Sequence, residues 1–133
     1  MHTTKMLACL GALAACLALP SVGRAADNCT GQFVVVGTTA VNLDDNRDAP
    51  SHMAIGIWDA KTSHTTFKDA DGNTWTNEVS SVGTAWKQIG GTGKYANAEA
   101  SGWQRTIRMD VAEQAGVLVP VYIGVWGGNC SGR

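Results

Sequence analysis

The sequence has few charged residues and no excess of either sign. Only 16% of its 133 residues are charged, and 10 basic against 11 acidic side chains leave a formal net charge of -1. A protein that collects nucleic acid or an anionic membrane by long-range attraction needs a strongly basic face. The charge balance therefore predicts that nucleic acid is not a partner.

The chain also lacks the sequence patterns of common catalytic and metal sites. It has no Gly-x-Ser-x-Gly motif, no Cys-x-x-Cys pair and only 3 histidines. Gly91-Thr92-Gly93-Lys94 resembles a phosphate-binding loop, but Tyr95 stands where that loop needs Ser or Thr. The turn at residues 69–73 resembles a calcium loop, yet Gly72 falls at its fourth position rather than its sixth. We expect no cofactor and no metal, and we assign no catalytic residue.

The longest apolar run lies at the N-terminus. Residues 6–19 are almost wholly apolar, follow the basic Lys5, and precede Gly23-Arg24-Ala25, whose small residues suit signal-peptidase cleavage after Ala25. The run is too short for a permanent transmembrane helix. We interpret residues 1–25 as an export signal. Residues 26–133 are then one periplasmic or secreted domain with no integral membrane segment.

An alternative processing site lies inside the same segment. Leu13-Ala14-Ala15-Cys16 fits a lipoprotein box, in which Cys16 is acylated and tethers the protein to a membrane. The apolar stretch before Cys16 is short and the three residues after it are still apolar, which favours cleavage after Ala25. Membrane tethering through Cys16 stays open as the alternative.

Export leaves two cysteines in the domain, Cys29 near its start and Cys130 near its end. An even number of cysteines in an oxidising compartment is typical of disulfide pairing. We therefore predict a disulfide between Cys29 and Cys130. It would close a loop of about 100 residues and hold both ends of the domain in place.

Patterns of short β-strands follow one another through the rest of the chain. Residues 33–43 are rich in Val and Thr, and residues 53–58 alternate with period two. Further strands are predicted at residues 63–68, 74–79, 84–89, 94–100, 103–110 and 117–126, with a break at Ser101-Gly102 and one helical turn within 110–116. About eight short strands predict an all-β fold, either an antiparallel barrel or a sandwich.

The strand that begins at Trp103 has one unusual residue. Trp103, Arg105, Ile107, Met109 and Val111 share a face, and their hydrophobic pattern assigns that face to the interior. A buried arginine is costly unless an acidic group pairs with it. We therefore expect an inward-facing Arg105 with an acidic partner.

The preceding segment supplies that partner. Tyr95, Asn97 and Glu99 share one face, and Glu99 would reach Arg105 across the predicted break. A polar pair in an aromatic interior is typical of a binding site. Tyr95, Asn97, Glu99, Trp103 and Arg105 are therefore the candidate ligand-binding residues. The alternatives are a purely structural ion pair, or an arginine that extends out through the barrel mouth.

A longer pattern runs through residues 69–102. It comprises the acidic glycine turn at 69–73, Trp86, the turn and strand at 90–98, and Ser101-Gly102. This pattern resembles small exported bacterial proteins related to the allene oxide cyclase and dirigent-like β-barrels. The resemblance implies an eight-stranded barrel whose cavity guides cyclisation or coupling of apolar substrates by shape. The chain is shorter than the plant enzymes and less Gly-rich at residues 98–100, so no catalytic residue is carried over.

Two functions from different classes are compatible with these observations. One is a non-enzymatic barrel that binds a small apolar ligand, or acts as a structural or interaction module, as a monomer or an oligomer. The other is a cyclase- or isomerase-like enzyme in which Glu99 and Arg105 stabilise charge. The barrel interior is the discriminating observation, because a solvent-connected cavity that contains Glu99 and Arg105 would favour binding or catalysis. A core packed solid by the 5 tryptophans would exclude both ligand hypotheses.

Overall fold

The computed structural model describes residues 27–131, and the expected export signal with Cys16 lies outside the described residues. Eight antiparallel strands form a closed barrel in chain order, and β8 pairs with β1 to close it. The strands are β1 (Cys29–Val36), β2 (Thr39–Asp44), β3 (Met53–Asp59), β4 (His64–Lys68), β5 (Thr74–Val79), β6 (Ala85–Gly91), β7 (Glu99–Gln114) and β8 (Val117–Ser131). The predicted barrel is confirmed, and the sandwich alternative is wrong.

The first strand boundary differs from the prediction. The Val- and Thr-rich stretch at residues 33–43 is two strands, because Gly37 adopts the left-handed conformation (φ 62°) and reverses the chain. The predicted hairpin around the acidic glycine turn is confirmed as the antiparallel pair β4 and β5.

The second half of the chain differs more. The predicted strand at residues 94–100 is wrong in most of its length, because it begins in a 3-10 helix, Gly93–Tyr95, continues through a turn, and joins β7 only at Glu99. The predicted break at Ser101-Gly102 is wrong, because both residues lie within β7 and pair with β8. The predicted helical turn is also wrong. β7 continues to Gln114 and turns through Ala115 (φ 50°) and Gly116 (φ 79°), the left-handed pair that a two-residue hairpin prefers.

Aromatic rings occupy the barrel interior where glycines leave room for them. A Cβ atom on Gly56 would lie 2.8 Å from Cδ1 of Phe67, and one on Gly31 would lie 2.5 Å from Cζ2 of Trp126. Each ring therefore lies against the backbone of a neighbouring strand. The interior of this barrel consists of small residues and large rings, and many aliphatic side chains point outwards.

The face of β7 that the sequence pattern assigned to the interior is its outer face, so that prediction is wrong. Trp103 is 42% exposed, Ile107 is 59% exposed, and Arg105 is exposed as well. Gln104 and Thr106, on the opposite face, point into the barrel. Because β7 carries aliphatic side chains on its outer face and the polar Gln104 and Thr106 on its inner face, hydrophobicity alone selects the wrong side of this strand.

Candidate functional site

The barrel encloses a cavity of about 320 Å³. Its lining includes Ser63, from the loop between β3 and β4, and Ser80, Ser81 and Gly83, from the loop between β5 and β6. The cavity therefore reaches the end of the barrel where these loops lie, which we call the open end. Its volume falls at the lower end of the range of small-molecule sites, about 300–1,000 Å³.

Aromatic rings form much of the cavity wall, beside hydroxyl and amide side chains. Four of the 5 tryptophans contribute, and Trp103 on the outer surface is the exception. The aromatic lining residues are Phe33, Trp58, Phe67, Trp75, Trp86, Tyr122 and Trp126. None of the described lining residues is charged. An unpaired charge is costly to bury, so these walls favour an uncharged ligand.

Two of the indole rings are held by their polar edges. Trp86 Nε1 donates to the backbone carbonyl of Trp103 at 3.0 Å, and Trp126 Nε1 donates to the carbonyl of Gln32 at 3.2 Å. The two rings meet edge to face, with centroids 5.9 Å apart. Because both N–H groups are already bonded to the barrel wall, these indoles contribute apolar surface to the cavity.

Asn77 is a polar lining residue with a buried group that is not hydrogen-bonded among the described residues. It lines the cavity, and its Oδ1 atom is buried without a hydrogen-bond partner among the described residues. A buried acceptor left unsatisfied costs about 1–3 kcal/mol. A ligand donor would reach this buried oxygen only after the Asn77 side chain turned towards the cavity, and it would then recover part of that cost.

The opposite end of the barrel is closed by Tyr95 and Asp69. Tyr95 is fully buried, and its ring centroid lies 4.8 Å from that of Trp75 in the cavity wall. Its hydroxyl donates to Asp69 Oδ2 at 2.9 Å. The other oxygen of Asp69 accepts the N–H groups of Asp71 and Asn73 at 2.9 and 3.0 Å. This network fixes the floor of the cavity to the turn between β4 and β5.

Lys94 completes the closed end. Its Nζ lies 4.0 Å from Asp69 Oδ2 and 5.0 Å from the centroid of the Tyr95 ring. Gln88 Nε2 donates to the backbone carbonyl of Tyr95 at 3.1 Å. These residues belong to the pattern at 69–102 that carries the resemblance to the cyclase-like barrels. In this structure part of the pattern, namely Asp69, Gln88, Lys94 and Tyr95, closes one end of the barrel.

The predicted disulfide is confirmed. Cys29 and Cys130 are bonded, with Cα atoms 6.0 Å apart, and link the start of β1 to the end of β8. A structural disulfide is typical of proteins that fold in an oxidising compartment, which fits an extracellular or periplasmic protein. No helix among residues 27–131 is long and apolar enough to cross a membrane.

The structure does not bring the five candidate ligand-binding residues together in the cavity. Tyr95 lies in the floor, behind Trp75, and is not part of the lining. Asn97, Glu99, Trp103 and Arg105 are exposed. The indole N–H of Trp103 donates to a carboxylate oxygen of Asp27 at 2.9 Å on the outer surface.

The expected pairing of Glu99 with Arg105 fails for a geometric reason. The prediction placed a turn between them, but β7 runs straight through that position, where Glu99 pairs with Ser131 and Arg105 with Val125 of β8. Roughly six residues of extended strand separate the two side chains by about 20 Å. They therefore form neither a buried ion pair nor one site.

The residues that do line the cavity carried a weak sequence signal. Trp75, Asn77 and Val79 alternate along β5, and Gln104 and Thr106 alternate along β7. Period-two spacing groups each set correctly but does not say which set faces inwards. Residues 27–131 contain no group of three or more His, Cys, Asp or Glu side chains arranged to hold a metal ion.

Comparison with protein-family models, curated proteins and solved structures finds no match to this chain. The resemblance to the allene oxide cyclase and dirigent-like barrels stays a prediction. The cavity is therefore interpreted from its own geometry.

Proposed function

We propose that this protein is an exported, non-enzymatic barrel whose cavity binds one small, uncharged and mainly apolar ligand with a hydrogen-bond donor. The observation that carries the proposal is an uncharged cavity, rich in aromatic rings, that is lined by Asn77, whose Oδ1 is buried without a hydrogen-bond partner among the described residues. Export is supported by the N-terminal sequence and by the disulfide between Cys29 and Cys130.

The size of the barrel limits the ligand. Eight strands enclose an interior that is either filled by side chains or holds a single small molecule. Glycines let several rings lie close to the backbone of neighbouring strands, and the cavity between the lining side chains is about 320 Å³. Aromatic walls favour a ligand that contains a ring system over a flexible chain, because aromatic pairs attract one another beyond the area that they bury.

The geometry favours binding over catalysis. The cyclase or isomerase hypothesis needed Glu99 and Arg105 inside the cavity to stabilise developing charge. Both residues are exposed on the outer surface of β7. The cavity supplies apolar surface, amides and hydroxyls instead, and these groups select a ligand by shape and hydrogen bonding.

A pair of fluorescent probes tests the proposed ligand class. Phenylnaphthylamine is uncharged, aromatic and carries one N–H donor, and anilinonaphthalene sulfonate is the same ring system with an added negative charge. We expect phenylnaphthylamine to bind with one-to-one stoichiometry, to gain fluorescence, and to quench the tryptophans of the cavity. We expect the sulfonate to bind much more weakly. Equal binding of both probes, or of neither, would contradict the proposal.

The role of Asn77 is tested by a matched pair of substitutions. Asn77→Leu keeps the side-chain size and removes the acceptor, so phenylnaphthylamine should bind roughly fivefold more weakly, the worth of one neutral hydrogen bond. Phenylnaphthalene, which has no N–H, should bind both proteins equally. Asn97→Leu, on the exposed surface, should change neither affinity. A loss of phenylnaphthylamine affinity in Asn97→Leu alone would place the site elsewhere.

Intact-mass measurement of the exported protein distinguishes the two forms of localisation. A chain that begins at Ala26 indicates a free periplasmic or secreted protein. A chain that begins at an acylated Cys16 indicates a membrane-tethered lipoprotein.

A further inference from the structure

The hairpin of β7 and β8 extends beyond the barrel and leaves one edge of β7 unpaired. β6 pairs with β7 only through residues 85–87, and the last backbone hydrogen bond on this side joins Gln104 N–H to the carbonyl of Thr84 at 3.0 Å. Within the described part of the chain, residues 105–114 of β7 pair with β8 alone. A long unpaired edge is a template for another strand.

The backbone groups that face this edge follow from the register. Gln104 directs its N–H towards β6, away from β8. A bulge between Thr106 and Arg108 adds one residue, so the alternation restarts one position later. Met109 and Val111 consequently direct their N–H and C=O groups towards the open edge.

Contacts on both sides of the hairpin agree with this assignment. The N–H of Val111 donates to Oδ1 of Asp110 at 2.9 Å, which occupies an edge amide in the single chain. Pro120 lies opposite Val111, and its carbonyl accepts the N–H of Gly37 from the β1 side. The N–H of Val111 and the carbonyl of Pro120 therefore do not bond β7 to β8.

The unpaired segment of β7 exposes three apolar side chains, and two residues of opposite charge flank Met109 at its centre. Ile107, Met109 and Val111 are exposed on the unpaired segment. Arg108 and Asp110 flank Met109, and their side chains form an ion pair at 3.0 Å within the chain. An antiparallel copy of the same strand, centred on Met109, would face Arg108 with Asp110 and Asp110 with Arg108.

We propose that two copies of this protein form a twofold dimer by antiparallel pairing of their β7 edges, centred on Met109. The pairing satisfies the edge-facing backbone groups of Met109, and covers Ile107 of each copy with Val111 of the other. Each opposite-charge pair across two strands contributes favourably, whereas like charges in the same place oppose pairing. An unrelated peptide would satisfy the backbone but would not match the charge order.

Other registers of the same two strands match less well. Centring the pair on Val111 also brings edge-facing groups together, but it places Asp110 opposite Ala112 and Arg108 opposite Gln114. The charged residues then have no partner on the second copy. Centring the pair on Asp110 places the edge-facing groups of Met109 opposite those of Val111, but it also places Asp110 opposite Asp110 of the second copy, and like charges there oppose pairing.

Sedimentation equilibrium of the exported protein and charge variants tests the dimer. We expect wild type to sediment at twice the chain mass. Arg108→Asp alone and Asp110→Arg alone each oppose like charges, and should raise the dimer dissociation constant roughly tenfold or more. An equimolar mixture of these two variants should form a heterodimer, because one strand then carries two acids and the other two arginines. Absence of the heterodimer would refute the proposed register.

Two further variants separate the β7 edge from the rest of the surface. Met109→Pro removes an N–H that β8 does not use, so the barrel should keep its near-ultraviolet circular dichroism while the dimer is lost. Ile55→Lys, on the exposed face of β3, should leave the dimer intact. A monomeric wild type at the highest measurable concentration overturns the proposal. So does a dimer that survives Met109→Pro and is lost in Ile55→Lys, which would place the contact on β3.

Discussion

Removing the disulfide should destabilise the protein mainly through its unfolded state. In the folded barrel β1 pairs with β8 from Cys29 to Val36, whether or not the bond is present. Additional bonds hold the same seam, from Asn28 N–H to the carbonyl of Gly128 at 2.9 Å and from Cys130 N–H to Asn28 Oδ1 at 2.7 Å. We therefore expect a variant with both cysteines replaced by alanine to keep the barrel.

The magnitude follows from the length of the closed loop. Cys29 and Cys130 are 101 positions apart, and a crosslink that closes about 100 residues reduces the entropy of the unfolded chain by an amount equivalent to about 4.7 kcal/mol at 25 °C. We expect the double alanine variant to lose about 4 kcal/mol of unfolding free energy. For a domain of this size the loss corresponds to a melting temperature about 20 °C lower.

Urea unfolding followed by tryptophan fluorescence measures the effect. The transition midpoint should fall and its slope should rise, because an uncrosslinked unfolded chain exposes more surface. Wild type unfolded in the presence of a reductant is the control without a mutation. Its transition midpoint and slope should match those of the double alanine variant. The reasoning is refuted if the loss is below about 1 kcal/mol with an unchanged slope, since the bond would then constrain the unfolded chain very little.

Two further predictions concern single hydrogen bonds. Tyr95→Phe removes the hydroxyl that donates to Asp69, and it should lower the free energy of unfolding in urea by about 1–3 kcal/mol. Tyr122→Phe, in the cavity wall, should change that free energy little. Equal losses in the two variants would contradict a specific role for the closed end. The pKa of Asp110 is held below its usual range, first by the backbone N–H of Val111 and then by Arg108. Any stability that this carboxylate adds is therefore present above the ordinary carboxyl pKa, and it is lost as pH falls through the lowered pKa. An NMR titration should show this lowered pKa, and Arg108→Gln should raise it; an unchanged value would exclude the ion pair as a cause.

The features that sequence reasoning predicted well are local or depend on counting. β-propensity and turn residues predict the hairpin of β4 and β5 because each strand is short and its turn is encoded between its ends. The pairing of Cys29 with Cys130 follows from there being no other cysteine in the domain. The turn at Gly37 was missed because Val and Thr continue on both sides of it, and a single glycine is a weak signal.

The candidate residues of β7 were assigned to the barrel interior wrongly because the inner face of a strand is not a local property. Period two divides β7 into two sets of residues, yet the choice of the inner set depends on which neighbouring strands supply the rings. Gly124 on β8 leaves space for Phe33 of β1, a contact between residues far apart in the sequence. The sequence by itself therefore determined the all-β class, the period-two pattern of the strands and the disulfide. Only the closed barrel decided that Trp58, Asn77 and Tyr122 line one cavity and that Arg105 lies outside, because closure fixes the curvature that gives each strand an inner and an outer face.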